Sequence, residues 1–418
     1  MRYFIIFLPL FLFASNLKEL IELSLKNEQY QIKIMQNMQS SFEIQSLTSS
    51  YMPNLNLDIG YVGLNKDRLI IDPQESFYTK LSLNFLLYDG GKREALINSL
   101  KFKKNITELN KEQSKNYLAL KASTLYFNYQ SLQTIIKASE QKELFLENTL
   151  QRLKKFYKVG LSAQNELESI NAKYHLAKLE LSKNLLKLEE IKKDIKILTA
   201  QDFTPEKLNF LENPSKDFKN NNNLEFLIAK EQINQANEKL KIAKSSYLPK
   251  IFLQNNFIFY KNNYNPKIPS IYQNLANDFF KKHAQSNQFI IGMQWKIFDF
   301  NQRSKEVEKE RLEVQIANAK ANLIKRENEQ NLEYLQKNLD ILKEQINALT
   351  YALKASEIAF KVVNEKYSAG LCSYIEYLEA LEEKFKAFSN LELAKNELEI
   401  TKANYYFLAG IDIKDKVL

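Results

Sequence analysis

Two short turns, Tyr157-Lys158-Val159-Gly160-Leu161-Ser162 and Tyr367-Ser368-Ala369-Gly370-Leu371-Cys372, interrupt long helical patterns and lie 210 residues apart. Upstream of the second turn, apolar residues step by threes and fours through Leu332, Leu335, Leu339, Leu342, Ile346, Leu349, Leu353, Phe360, Val363 and Tyr367, with Ser356 the one polar member. The same offset carries that series onto Ala122, Leu125, Tyr129, Leu132, Ile136, Ser139, Glu143, Leu150, Leu153 and Tyr157, with Leu146 opposite Ser356. A seam of coiled-coil spacing is therefore written twice. A chain of 418 residues with such an offset is expected to be one architecture of two repeats, 16–200 and 224–418, rather than two or three unrelated domains.

Only 8 glycines and 8 prolines punctuate the chain, so the helices between them must be long. The net charge of +9 comes from 59 basic and 50 acidic residues interspersed along those helices, the pattern of solvated faces. No clustered basic stripe marks a nucleic-acid surface. Cys372 is the single cysteine, and His175 and His283 stand far apart, so neither a disulfide framework, a metal site nor a catalytic dyad is indicated. No cofactor motif or catalytic constellation is present, and the expectation is a protein that is not an enzyme.

Arg2 followed by the apolar run Tyr3 to Phe13 and then Ala14-Ser15 has the form of a secretory signal peptide over residues 1–15. The run is too short to span a bilayer as a helix, and no cysteine follows it to carry a lipid anchor. Helical periodicity then covers Asn16 to about Ser49 and stops at Ser49-Ser50-Tyr51-Met52-Pro53. There the period changes to two. Leu55, Leu57, Ile59 and Tyr61 alternate with Asn54, Asn56, Asp58 and Gly60, and after a polar connection containing Asp72-Pro73 a second alternation runs through Leu81, Leu83, Phe85 and Leu87. These spacings predict strands over about 54–63 and 77–88. In the second repeat the strands are expected over about 250–260 and 288–298, the latter through Phe289, Ile291, Met293, Trp295 and Ile297.

Strands of about ten residues match a tilted bilayer crossing. Four of them fall short of the eight in the smallest closed barrels, and open edges cannot face lipid, so closure requires several chains; three would supply twelve strands.

Asp89-Gly90-Gly91-Lys92-Arg93 and Asp299-Phe300-Asn301-Gln302-Arg303 end the hairpins, with Asp89 placed to cap the helix that follows. From Lys92 to Lys158 the pattern gives 67 residues, roughly 100 Å of helix. A returning seam runs from Leu167 to Leu198 and stops near Ala200. The segment 201–223, with Pro205, Pro214 and the run Asn220 to Asn223, has no clear period. Helix resumes over Leu224 to Ser246, and its length suggests that it completes the first return. The second return, from about Ser373 to Ala409, ends at Gly410 with almost no tail, so its continuation is expected to be the N-terminal helix. The loop between Lys261 and Gln288, with Pro266 and Pro269, suits an exposed outer loop.

Taken together, the duplicated helix, hairpin and long-helix order, the Tyr51-Met52-Pro53 and Tyr247-Leu248-Pro249 strand starts, the Tyr88-Asp89-Gly90-Gly91-Lys92-Arg93 strand exit and the two Tyr-x-x-Gly turns resemble the outer-membrane efflux protein family typified by the TolC channel. That resemblance implies a mainly α chain with a small β part and four transmembrane strands, forming a homotrimer with a twelve-stranded barrel in outer-membrane lipid. It further implies a helical tunnel through the periplasm, whose closed end docks a periplasmic membrane-fusion adaptor and an inner-membrane pump.

By position, the resemblance makes Val159, Gly160, Leu161, Ser162, Ala369, Gly370, Leu371, Cys372 and Ser373 the adaptor-docking tips of hairpins near 157–167 and 367–378. It makes Glu376 and Glu379 a carboxylate ring at the periplasmic aperture, with Glu166 and Tyr367 beside them. Cys372 stands where the resembled pattern has an arginine of the tip latch, and Asn165 holds its partner's position. Outside the resemblance, the residues also fit a periplasmic coiled-coil adaptor, although such a protein is expected to carry one hairpin and compact β domains.

Overall fold

A computed structural model describes residues 16–65, 73–215, 223–264 and 280–418. The expected signal peptide, Asp72, Asn220 to Asn222, Pro266 and Pro269 lie outside the described residues. The described elements run α1 (Leu17–Ser24), α2 (Glu28–Ser50), β1 (Asn54–Gly63), β2 (Glu75–Tyr88), α3 (Lys92–Lys158), α4 (Gln164–Thr199), α5 (Leu224–Ser245), β3 (Lys250–Asn263), β4 (His283–Gln294), α6 (Gln302–Ser368) and α7 (Tyr374–Leu408). A short 3-10 helix, Ile413–Lys416, follows. The fold is mainly helical with one four-stranded sheet. The chain forms two compact units, one of Gln36–Glu108 and Ile228–Asn322 and the other of Met1–Met35, Leu109–Leu227 and Leu323–Leu418.

The first of these units carries the sheet, antiparallel throughout in the order β1-β2-β3-β4, with β1 and β4 at its edges. Register places Leu55 opposite Leu83, Leu57 opposite Leu81 and Tyr61 opposite Phe77, and on the other half Leu253 opposite Ile291 and Ile251 opposite Met293. That face is apolar and exposed, with Leu57 at 61% and Ile291 at 64% of full accessibility. The opposite face carries Asn56, Ser76, Ser82, Asn256 and Asn262, of which the last four are buried against their neighbours.

β4 differs from its expected span. It begins at His283 and ends at Gln294, leaving Trp295 and Ile297 beyond it. Its pairing stops because β3 begins at Lys250, whose partner is Gln294, and Pro249 before it offers no N–H to extend the ladder.

Each hairpin closes onto its long helix through the same contacts. Asp89 accepts the backbone N–H of Arg93 through Oδ2 at 3.0 Å, and Asp299 does the same for Arg303 at 3.3 Å. Each guanidinium donates back to the strand exit, Arg93 to the Leu87 carbonyl and Arg303 to that of Ile297. Each also lies over a tyrosine, Arg93 over Tyr51 at 5.3 Å and Arg303 over Tyr247 at 5.1 Å. Where the first turn has Gly90 and Gly91 at positive φ, the second holds Phe300 and Asn301 there, at 49° and 65°.

The second unit packs Leu17, Leu20 and Ile21 of α1 against Leu118 and Tyr126 of α3, Ile195 and Leu198 of α4, Leu332 and Leu339 of α6, and Ala403 and Tyr405 of α7. The expected single N-terminal helix is broken at Leu25–Asn27, and Asn27 gives the reason. Its side chain accepts the N–H of Gln29 at the start of α2 and donates to the carbonyls of Ile197 and Leu198 at the end of α4. One asparagine thereby serves the orphan groups of two helix ends.

Asn223 repeats the device, accepting from Phe226 N at the start of α5 and donating to the Leu408 carbonyl at the end of α7. These bonds correct the expected pairing of the return pieces. α2 starts where α4 ends and α5 starts where α7 ends, so the continuation of each returning helix comes from its own half of the chain.

The tail also departs from expectation. Beyond Gly410 it folds back as core, with Ile413 fully buried and Leu211 bridged antiparallel to Val417. Beneath this bridge a buried pair, Lys402 and Glu399, is joined at 2.7 Å. Lys402 Nζ donates to the Leu211 carbonyl at 3.0 Å, and Glu399 accepts the Leu211 N–H at 2.7 Å.

Candidate aperture and docking tip

Both turns, which belong to the second unit, end a helix in the same way. Gly160 and Gly370 have φ of 76° and 74°, a left-handed conformation that glycine adopts without steric cost. Leu161 N–H returns to the Phe156 carbonyl and Gly160 N–H to that of Tyr157, while Leu371 and Gly370 return to Lys366 and Tyr367. These are paired Schellman closures. They leave Val159, Leu161 and Leu371 exposed at 67%, 75% and 76%. Gly160, Ala369 and Gly370 are exposed with them, and Ser162 is half-buried.

The returning helices then start differently. Ser373 caps α7, its Oγ accepting from Glu376 N at 3.2 Å, and the hydroxyl donates to the Glu376 carboxylate at 3.1 Å. The matching position on α4 is Ala163, which makes no side-chain cap. Ser162, one residue earlier, donates instead to Glu166 Oε2 at 2.8 Å.

Behind the turns lies a separate core of Leu146, Leu150, Leu153, Ile170, Phe360, Tyr377 and Leu381. Tyr377, 1% exposed, stacks on Tyr367 at 4.6 Å and on Phe145 at 5.9 Å. Its hydroxyl approaches that of Thr149 at 3.4 Å. Burial pushes the Tyr377 phenol up to about 12. Tyr367 is also pushed up, first by burial and further by the Glu166 charge, while the Arg152 guanidinium over its ring at 5.0 Å opposes the shift.

The expected aperture residues therefore separate into two groups. Tyr367 lies under Arg152 and feels the Glu166 charge. Glu376 and Glu379 are exposed on α7, Glu376 held by Ser373 and Glu379 with no partner among the described residues. Cys372 is half-buried and directs its Sγ at the Val363 carbonyl, 3.6 Å away. An arginine does reach Tyr367, but from α3.

Tyr377 and Arg152 were not among the expected residues. Tyr377 is one place from Glu376 and three from Ala380 on a helix whose apolar face it shares with Tyr374, and aromatic content around the second turn is the signal that points to it. Among the described residues, no group of three or more His, Cys, Asp or Glu side chains could hold a metal ion, and no helix is long and apolar enough to cross a membrane.

Residues 220–410 match the family model described as outer membrane efflux protein. Just under half of the chain is thus similar to the outer membrane efflux protein family. The matched stretch takes in α5, the second hairpin, α6, the second turn and α7 with Glu376 and Glu379. The family is one of outer-membrane channels rather than of enzymes.

Solved structures extend the likeness in fold to the whole chain. The Campylobacter jejuni outer membrane channel CmeC is similar with a TM-score of 0.82 at 16% identity, covering 95% of this chain and 86% of that one. The Vibrio cholerae outer membrane protein VceC gives 0.80 at 14% identity over 95% and 96%. CusC gives 0.79 at 15% identity over 96% and 93%. No curated protein matches the chain.

Proposed function

We propose that the chain is the outer-membrane channel of a tripartite efflux or type I secretion system, a passive duct formed by three copies. The observation that carries this is the sheet. Its strands of 10 to 14 residues have one exposed apolar face, and β1 and β4 leave open edges. In lipid every backbone polar group needs a partner, and joining β1 of one copy to β4 of the next removes both edges. Three copies give twelve strands, with the apolar face outward and the polar face lining a bore.

The two halves, 16–200 and 224–418, are structural repeats joined by the segment 201–223. The repeated Asp-Arg closures and the Asn27 and Asn223 links support that division. The exposed Val159, Leu161 and Leu371, together with Gly160, Ser162, Ala369, Gly370, Cys372 and Ser373, form the surface that receives a periplasmic adaptor, which in turn couples the duct to an inner-membrane pump. Glu376 and Glu379, repeated around the threefold axis, form a carboxylate ring that favours cations, with Glu166 and Tyr367 at its flank.

The test is electrophoresis of an outer-membrane fraction without boiling. A species of three times the chain mass that collapses to monomer on heating is expected. A monomer confined to the soluble periplasmic fraction would overturn the proposal and favour a periplasmic adaptor.

A further inference from the structure

On the polar face of the sheet two glycines lie beneath aromatic rings. A Cβ built on Gly60 of β1 would stand 2.5 Å from Cζ of Tyr78 and 2.6 Å from its hydroxyl oxygen. One built on Gly292 of β4 would stand 2.4 Å from Cζ of Phe252. Register makes each pair direct cross-strand neighbours. Each ring thus leaves an inner strand and lies across the bare backbone of an edge strand, a seat that any larger residue would fill. The two seats are not copies of one another. At the repeat offsets Gly60 corresponds to Asn256 and Gly292 to Ser82, so the arrangement arises twice on different sequence.

This face is otherwise weakly charged. Asp58 and Lys80 oppose each other across β1 and β2, Lys250 stands at the start of β3, and the remaining described positions are uncharged. A wall of this kind offers neither the acidic ladder that would hold metal cations nor a basic one for anions. What it does offer is aromatic rings, Tyr78 with Tyr260 opposite it and Phe252, of which Tyr78 and Phe252 lie over glycines and so take little room.

We propose that Tyr78 and Phe252 are cargo-contacting residues of the bore, laid flat against its wall by Gly60 and Gly292, and that the duct thereby favours organic molecules carrying aromatic or apolar groups. This rests on the channel proposed above. Ring faces stack on aromatic cargo with a modest gain, enough to concentrate it and too little to trap it.

The test uses purified protein in planar bilayers with two cations as probes, tetraphenylphosphonium and tetrabutylammonium. Tetraphenylphosphonium is expected to interrupt the current with a dwell time about two- to tenfold longer than tetrabutylammonium. Tyr78→Ala with Phe252→Ala is expected to abolish that difference. Gly292→Ala is expected to push the Phe252 ring into the bore and lower the conductance, and adding Phe252→Ala is expected to restore it. Equal dwell times for the two probes, or ring truncations that leave the dwell times unchanged, would overturn the inference. If the alanine at Gly292 prevents assembly, the ring truncations, which keep both glycines, decide the question. Wild-type protein that forms no conducting channel would overturn the channel itself, whereas conducting channels indifferent to both rings would overturn this inference alone.

Discussion

The ring of Tyr377 lies against that of Tyr367, 4.6 Å between centroids and 21° between planes, so a residue from the returning helix is stacked on the last helical turn before Gly370. Phe145 covers the other side of Tyr377, and Arg152 sits over Tyr367. The second turn is therefore pinned by α3 through aromatic contacts rather than through its own glycine loop.

Alkaline pH should loosen that pin. Tyr377 keeps its proton in the folded protein to about 12, whereas the unfolded chain releases it near 10.0. Its neutral form is the one the core accepts, so its contribution is complete below pH 10 and declines as pH rises from 10 towards 12. Near-ultraviolet circular dichroism across that window should show the tip aromatics losing their fixed environment. Tyr377→Phe should flatten the pH response, since the ring remains and the proton is gone, whereas Tyr377→Ala should cost about 3–5 kcal/mol at neutral pH.

The two helix starts predict opposite responses to exchange of their caps. Ser373→Ala removes the acceptor for Glu376 N and should destabilise the second hairpin by about 1 kcal/mol. Ala163→Ser supplies a cap that α4 lacks and should stabilise the first hairpin by a similar amount. Hydrogen exchange of the first turns of α4 and α7 would report both, and equal protection in the unaltered protein would contradict the asymmetry.

For the proposed carboxylate ring, Glu376→Ala with Glu379→Ala should weaken block by divalent cations in planar bilayers. Of the two, Glu379→Ala should act with less structural cost, because Glu376 also engages Ser373. Unchanged single-channel block in the double variant would remove these residues from the aperture.

Breaking the buried Glu399 and Lys402 pair should be costly. Lys402→Met strands the Glu399 carboxylate on a single N–H donor and should lose about 3–5 kcal/mol. Adding Glu399→Gln keeps an acceptor for Leu211 N while removing the charge, and should recover most of the loss. Urea denaturation midpoints of the single and double variants would measure this.

Long elements were legible in the residues because their ends carry strong signals. The two 67-residue helices are bounded by Asp89-Gly90-Gly91 and Gly160, and by Asp299 and Gly370. Period-two alternation located β1, β2 and β4, and the repeat pointed to β3, although at β4 the alternation ran past Gln294, because alternation says nothing about where the partner strand begins. The break at Leu25–Asn27 was silent, since it depends on one asparagine bonded to residues about 170 positions away.

Segment lengths misdirected the expected continuation of the returning helices. α2 and α5 have 23 and 22 residues, so a sum of lengths fits either assignment, and only the helix-end hydrogen bonds choose between them. The tail was hidden because Ile413 and Val417 are single apolar residues without a period, buried by a strand bridge to Leu211. At the tip, the glutamates were conspicuous as charge, while Tyr377 and Arg152 acquire meaning only from the neighbours that folding brings to them.

The Asn27 and Asn223 bonds carry a consequence for stoichiometry. Each returning helix is extended by the helix that opens its own half, so the halves are complete hairpins that the stretch between Thr199 and Asn223 ties in tandem. Two separate polypeptides of this design could mix in any ratio around a ring. Joined in one chain, the uncapped first turn and the serine-capped second turn are present one to one, and in the proposed trimer every neighbour of one kind of tip would be a tip of the other kind.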